Sequence, residues 1–143
     1  MCRLWLVSLL LLAPFIASSQ PAELRFDEMY EGSGILGLQY SSRLMALNGQ
    51  EVVVRGFMAP PLKAEATFFV LTRNPVNLCP FCDSDADWPT DIIVVLPEGE
   101  VEFRPNTDPV EIQGILNVGA YVEPTSGFYC RVWMTEAEVR VLR

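Results

Sequence analysis

The chain contains no histidine. Histidine-based catalytic triads and histidine-ligated metal sites are therefore excluded. Positive charge is also scarce: ten Lys and Arg stand against eighteen Asp and Glu, a net −8. Nucleic acid and anionic membranes both require a basic footprint, so neither is an expected partner. The sequence has no internal repeat and no low-complexity tract. Beyond residue 19 no apolar stretch reaches the roughly 20 residues that a membrane span needs. No parallel βαβ pattern is present either, which removes the setting that a dinucleotide fingerprint or a thioredoxin-like site requires.

What is present begins with an export address. Arg3 supplies a short positive start, residues 4–16 are apolar apart from Ser8 and Pro14, and Ala17-Ser18-Ser19 follows with small side chains. These are the three parts of a secretory signal peptide, with cleavage expected before Gln20. Cys2 precedes the apolar stretch, so it is not a lipid-attachment cysteine. The expected mature protein is soluble, and periplasmic or secreted. Its charge falls to −9 with the loss of Arg3, and it keeps three cysteines, Cys79, Cys82 and Cys130. An odd count in an oxidising compartment implies one disulfide plus a free thiol, an intermolecular bridge, or a metal site.

Length suits one small domain, divided as signal peptide 1–19, lead-in segment 20–40 and folded domain 41–143. The lead-in holds a formal Gly-x-Gly-x-x-Gly, from Gly32 to Gly37, without the flanking strand and helix that a cofactor site needs. It reads as a loop. Residues 41–47 suit a short helix, ended by Asn48-Gly49. Strands are predicted over 51–58, 66–73, 91–96, 110–118 and 127–134, with residues 100–103 running on after a turn at 97–99. Pro60-Pro61 breaks the first strand, and Gly114 marks a bend or bulge in the fourth. Thr135 and Glu138 have the spacing of a capping box, which predicts a short C-terminal helix. Short strands separated by turns point to a mainly β fold. Closure into a small barrel of five or six strands with short flanking helices leaves no long open edge.

Several segments resemble an uncharacterised family of small exported bacterial domains with an OB-like fold. They are Leu47-Asn48-Gly49 before a strand, Val54-Arg55-Gly56-Phe57-Met58-Ala59-Pro60 at a strand end, the Phe68-Phe69-Val70-Leu71 strand, a cysteine-containing loop, and the strand from Pro109 to Gly119. The resemblance runs from about residue 44 to 139. It implies an OB-like β-barrel and no particular activity, because that fold hosts many functions.

The loop at 74–89 carries Cys79-Pro80-Phe81-Cys82 and then Asp83, Asp85, Asp87 and Trp88. Three chemistries compete for it. The tetrad looks like a glutaredoxin dithiol, but the acidic residues after it oppose a thiolate rather than favour one. Cys79, Cys82 and Cys130, with Asp83 or Asp85, could complete a tetrahedral zinc site, although no second cysteine pair strengthens it. A structural disulfide between two of the three cysteines is the default for a small exported domain, and such a bridge contributes about 2–4 kcal/mol. Cys130 has no other cysteine partner, so it is expected near the Cys79–Cys82 loop.

Trp88, Trp133, Phe68, Phe69, Phe81 and Tyr129 could line a groove, although strand aromatics more often fill a core. Glu98, Glu100, Glu102 and Glu111 fit the solvated face of a sheet better than general acids. No side chain is flanked by an activating group, so no catalytic residue and no cofactor-binding residue is assigned. The leading expectation is a non-enzymatic binding or envelope-assembly domain whose partner is another envelope protein. The alternative is a thiol-redox or metal-handling protein using Cys79, Cys82 and Cys130.

Overall fold

A computed structural model of the chain describes residues 20–32, 39–60, 67–76, 90–104 and 107–143. Within them the protein is mainly β. Expected element types hold for the short helix and for the strands at 51–58 and 91–96. They fail at the C-terminus.

The first ordered elements come from the lead-in. Strand β1 (Ala22–Glu23) lies parallel to strand β4 (Glu51–Met58), with Ala22 opposite Val52. A single 3-10 turn follows at Phe26–Glu28, then strands β2 (Tyr30–Glu31) and β3 (Gln39–Tyr40), which pair with each other. Leu24, Phe26 and Met29 are all buried here. Helix α1 (Ser42–Ala46) begins at Ser41, whose hydroxyl accepts from the Leu44 amide at 2.9 Å. That is the usual way a serine satisfies one orphan amide of a first helical turn. The same hydroxyl donates to the Glu28 carbonyl, which ties α1 to the 3-10 turn.

The remaining strands are β5 (Phe69–Thr72), β6 (Ile92–Pro97), β7 (Pro109–Val122) and β8 (Tyr129–Val141). They form one six-stranded sheet in the order β1-β4-β5-β6-β8-β7, and β4 also pairs with β7. The ladders therefore run from β4 through β5, β6, β8 and β7 back to β4. All are antiparallel except β6 beside β8. β4 is shared between two neighbours. Residues 51–57 pair with β7, while Phe57 and Met58 also pair with β5. Gly56 sits at this change of partner. A Cβ there would lie 2.5 Å from the Thr72 carbonyl oxygen and 3.2 Å from the Phe26 ring, so only glycine lets β5 approach so closely.

The main core lies inside this ring of ladders. Alternation on β4 turns Val52, Val54 and Met58 inward, where they meet Leu71, Ile93, Val95, Ile112, Leu116, Val132 and Met134. Each such side chain contributes about 1.5–3 kcal/mol of burial. On the outside, a band of alternating charge crosses four strands. Arg55 is bonded to Glu23 on β1 and to Glu111 on β7, and Glu111 also accepts from Arg140 on β8 at 3.0 Å.

The predicted C-terminal helix at 135–138 is not formed. β8 runs straight through those residues, with Gln113 opposite Glu138 and Ile115 opposite Thr135. One residue on β7, Gly114, thus faces two on β8, Glu136 and Ala137, and the extra residue is Glu136, held at φ 50°. The predicted irregularity at Gly114 is real, but the bulge lies on the opposite strand. A Cβ on Gly114 would stand 2.7 Å from the Thr135 carbonyl oxygen. Pairing with β7 outweighs the local capping preference of Thr135 and Glu138. The last two strands are accordingly longer than predicted, Pro109–Val122 and Tyr129–Val141.

Candidate functional site

β5 and β6 are buried on both faces. Leu71, Ile93 and Val95 point into the main core, while Val70, Ile92 and Val94 join a second apolar cluster with Ala59, Phe68 and Cys130. Continuous runs of β-branched residues are what two-sided burial requires. Val76, Leu96, Tyr121, Phe128 and Trp133 pack around this second cluster. Two aromatic contacts organise it. Tyr121 stacks on Trp133 with ring centroids 4.9 Å apart, and Phe68 tilts against Phe128 at 5.5 Å.

The cluster leads into the tip of the β7–β8 hairpin. Val122 and Tyr129 face each other there in register, and they are 54% and 46% exposed. Arg131 donates to the Tyr129 hydroxyl, and Tyr30 and Tyr40, themselves in ring contact at 5.8 Å, lie within the electrostatic reach of the same guanidinium. Burial raises the Tyr40 hydroxyl above its ordinary value.

The turn between the strands is built by Glu123. Its amide donates to the Phe128 carbonyl at 2.8 Å, and its carbonyl accepts from Gly127, which has φ 73°. Its carboxylate accepts from the Thr125 amide at 3.0 Å, from the Ser126 amide at 2.7 Å, and from the Ser126 hydroxyl. These donors, the Ser126 hydroxyl foremost, stabilise the charged form and lower its pKa from 4.5 to about 2. Exposed apolar side chains thus sit on a turn that is itself fixed, which limits the entropy lost when they are covered.

The sequence candidates distribute as follows. Cys130 is completely buried, with a free thiol. Burial pushes that thiol up to about 12, so it is neither a ready nucleophile nor a ready ligand. Cys79, Cys82, Asp83 and Asp85 lie outside the described residues, as do Phe81, Asp87, Trp88 and most of the Gly32–Gly37 motif. Among the described residues no group of three Cys, Asp or Glu side chains is placed to hold a metal. Val76 and Ile92, described residues close to either end of the 77–89 stretch, both pack on the cluster that contains Cys130. Phe68 and Trp133 join that cluster, whereas Phe69 packs on the main core. Glu98, Glu100 and Glu102 are exposed, but in the bend and irregular segment after β6, because the predicted strand at 100–103 is not formed. Glu111 is instead bound between Arg55 and Arg140.

A second concavity of about 310 Å³ opens where β1 leaves β4, lined by Glu23, Arg25, Phe26, Asp27, Arg55 and Arg73 among others. Asp27 engages Arg25, and Glu23 and Glu111 engage Arg55. Its charges are therefore largely satisfied from within. The sequence marks Tyr129 as a groove candidate, and it is exposed, but it misses the tip as a site, because Val122 and Tyr129 become neighbours only through the register of β7 and β8. The signal that could have found it is Glu123-Pro124-Thr125-Ser126-Gly127, a turn-rich run between two apolar strands.

Fold and site together define a small, mainly β protein with an apolar aromatic face beside one hairpin. No family model matches the chain, and no curated protein matches it. Among solved structures it is similar to a crystal structure of a DUF3299 family protein from Pseudomonas aeruginosa PAO1. The TM-score is 0.60 at 15% identity, and the match covers 87% of this chain and 98% of that one. At this identity the likeness establishes a shared fold. No described helix is long and apolar enough to cross a membrane.

Proposed function

We propose that this chain is an exported, soluble, non-enzymatic OB-like β-barrel that binds another protein of the cell envelope through the tip of its β7–β8 hairpin. The strand order supports the barrel reading. An antiparallel β4–β5–β6 run, a parallel β6–β8 pair and a return through β7 to β4 match the pattern of a five-stranded Greek-key barrel. In that architecture the face of strands two and three and the loop between strands four and five commonly bind ligands. Here those are the β5–β6 face, which is apolar, and the Glu123 turn, which carries an acidic side chain; neither is basic. With a net charge of −8, this favours a protein partner over nucleic acid.

The observation that carries the reading is the exposed Val122–Tyr129 pair at the hairpin tip. Tyrosine and tryptophan are the side chains most often found at interface hot spots. Export rests on the signal-peptide pattern of residues 1–19. Burial of Cys130 counts against its use as a nucleophile or a third metal ligand, whereas the Cys79 and Cys82 pair lies outside the described residues.

The test uses the full chain expressed with its leader in a bacterial host. A photocrosslinking residue replaces Tyr129 in one variant and the exposed Glu138 in another. The reading expects the protein in the periplasm or medium. It also expects a discrete crosslinked envelope protein from position 129 only, lost on Val122→Asp. Cytoplasmic retention would sink the export half, and equal crosslinking from both positions would sink the binding half.

A further inference from the structure

We infer that the mature protein carries an N-terminal pyroglutamate formed from Gln20. The inference rests on the export reading, which places the signal-peptidase cut after Ser19. The fold begins just beyond that cut. Ala22 pairs with Val52, the Leu24 amide donates to the Val53 carbonyl at 2.9 Å, and Leu24 is 1% exposed. A cut before Gln20 leaves β1 whole, whereas a cut beyond Leu24 would remove a strand and a core side chain.

Gln20 is exposed, lies outside every ladder, and makes no hydrogen bond to a described residue. Its side-chain amide is therefore free to meet its own α-amine once cleavage creates that amine. The α-nitrogen attacks Cδ and forms a five-membered lactam. The Cδ–Nε2 bond breaks, and the nitrogen leaves as ammonia with the proton released by the amine. Nothing is oxidised or reduced, and no co-reactant is required. A neighbouring proline opens a competing route, in which the same amine attacks the Pro21 carbonyl and expels Gln20-Pro21 as a cyclic dipeptide. That route requires the Pro21–Ala22 peptide bond to break, and the β1–β4 pairing beginning at Ala22 holds that bond extended. The geometry favours the lactam.

The product has no α-ammonium group, so an already acidic chain loses a further positive charge. It also offers no free amine to an aminopeptidase, which protects the two residues that lead into β1.

Intact mass and N-terminal sequencing of the exported protein test this directly, after incubation of the folded protein at neutral pH. The expected result is a chain lighter than Gln20–Arg143 by one ammonia. It should resist stepwise sequencing, and fragmentation of the N-terminal peptide should place the loss of ammonia on residue 20. Gln20→Ala should give the full mass and a readable N-terminus. A persistent free amine on Gln20, or a chain beginning at Ala22, overturns the inference while leaving export standing. A start at any other residue overturns the cleavage site and the inference together.

Discussion

Two single residues set conditions on this fold. Gly56 is the point where β4 exchanges one neighbour for another, and the Thr72 carbonyl occupies the space that a side chain would need. Gly56→Ala is expected to cost about 1–3 kcal/mol through overpacking. Urea unfolding measures it, and an unchanged midpoint would mean that β5 moves aside freely. Glu123 closes the hairpin with its carboxylate, whose pKa lies at about 2 against an ordinary 4.5. A lowered folded-state value stabilises the protein above the unfolded value and loses that effect as acid protonates the native carboxylate. Its contribution is therefore complete above pH 4.5 and declines between 4.5 and 2. Glu123→Gln should flatten the stability profile in that window. An identical slope in the variant would assign the acid sensitivity to other carboxylates. Both roles were hidden in the sequence. Gly56 appeared only as part of a motif, and Glu123 carried no signal beyond lying between two predicted strands.

Elements with strong local signals were legible. Residues 41–47 announced α1 through Ser41 and the Asn48-Gly49 stop, and alternation announced β4. The compact apolar run at 92–95 announced β6. β1, β2 and β3 were not legible, because two-residue strands have no period and exist only through their partners. β8 was misread for the opposite reason. Thr135 and Glu138 carry a clear local preference, and the ladder with β7 overrides it. The extra residue at Glu136 adopts a left-handed backbone that costs a non-glycine residue about 1 kcal/mol. Glu136→Gly should return about that amount and raise the melting temperature, whereas Glu138→Gly, in regular strand, should lower it. Calorimetry on the two variants decides, and a loss in both would show that the bulge is not strained. The hairpin tip has the same history: each strand was expected, but the register that joins Val122 to Tyr129 was not.

At the scale of the whole molecule, the closed circuit of ladders encloses one core and presents a second on its outer face. Cys130 belongs to the second. It is an apolar core residue with a free thiol, and its expected nearness to Cys79 and Cys82 concerns a loop outside the described residues. In a Cys79→Ser, Cys82→Ser background, a thiol reagent should label Cys130 only as the protein opens. The labelling rate should then rise with urea and stay independent of reagent concentration at high reagent. Rapid labelling in native buffer would place Cys130 at the surface and remove the second core from the account.

The bulged half of β8 also bears on the order of assembly. Residues 135–138 lean towards a helical start when alone and become strand only when β7 and β6 are already there to receive them. A segment whose own preference opposes its final state gains nothing from forming early. It is expected to dock last, with Val139→Ala speeding unfolding and leaving the folding rate almost unchanged in stopped-flow measurements. The C-terminal strand then acts as the latch of the sheet, and newly made chains pass through a brief interval with the circuit of ladders still open at that seam.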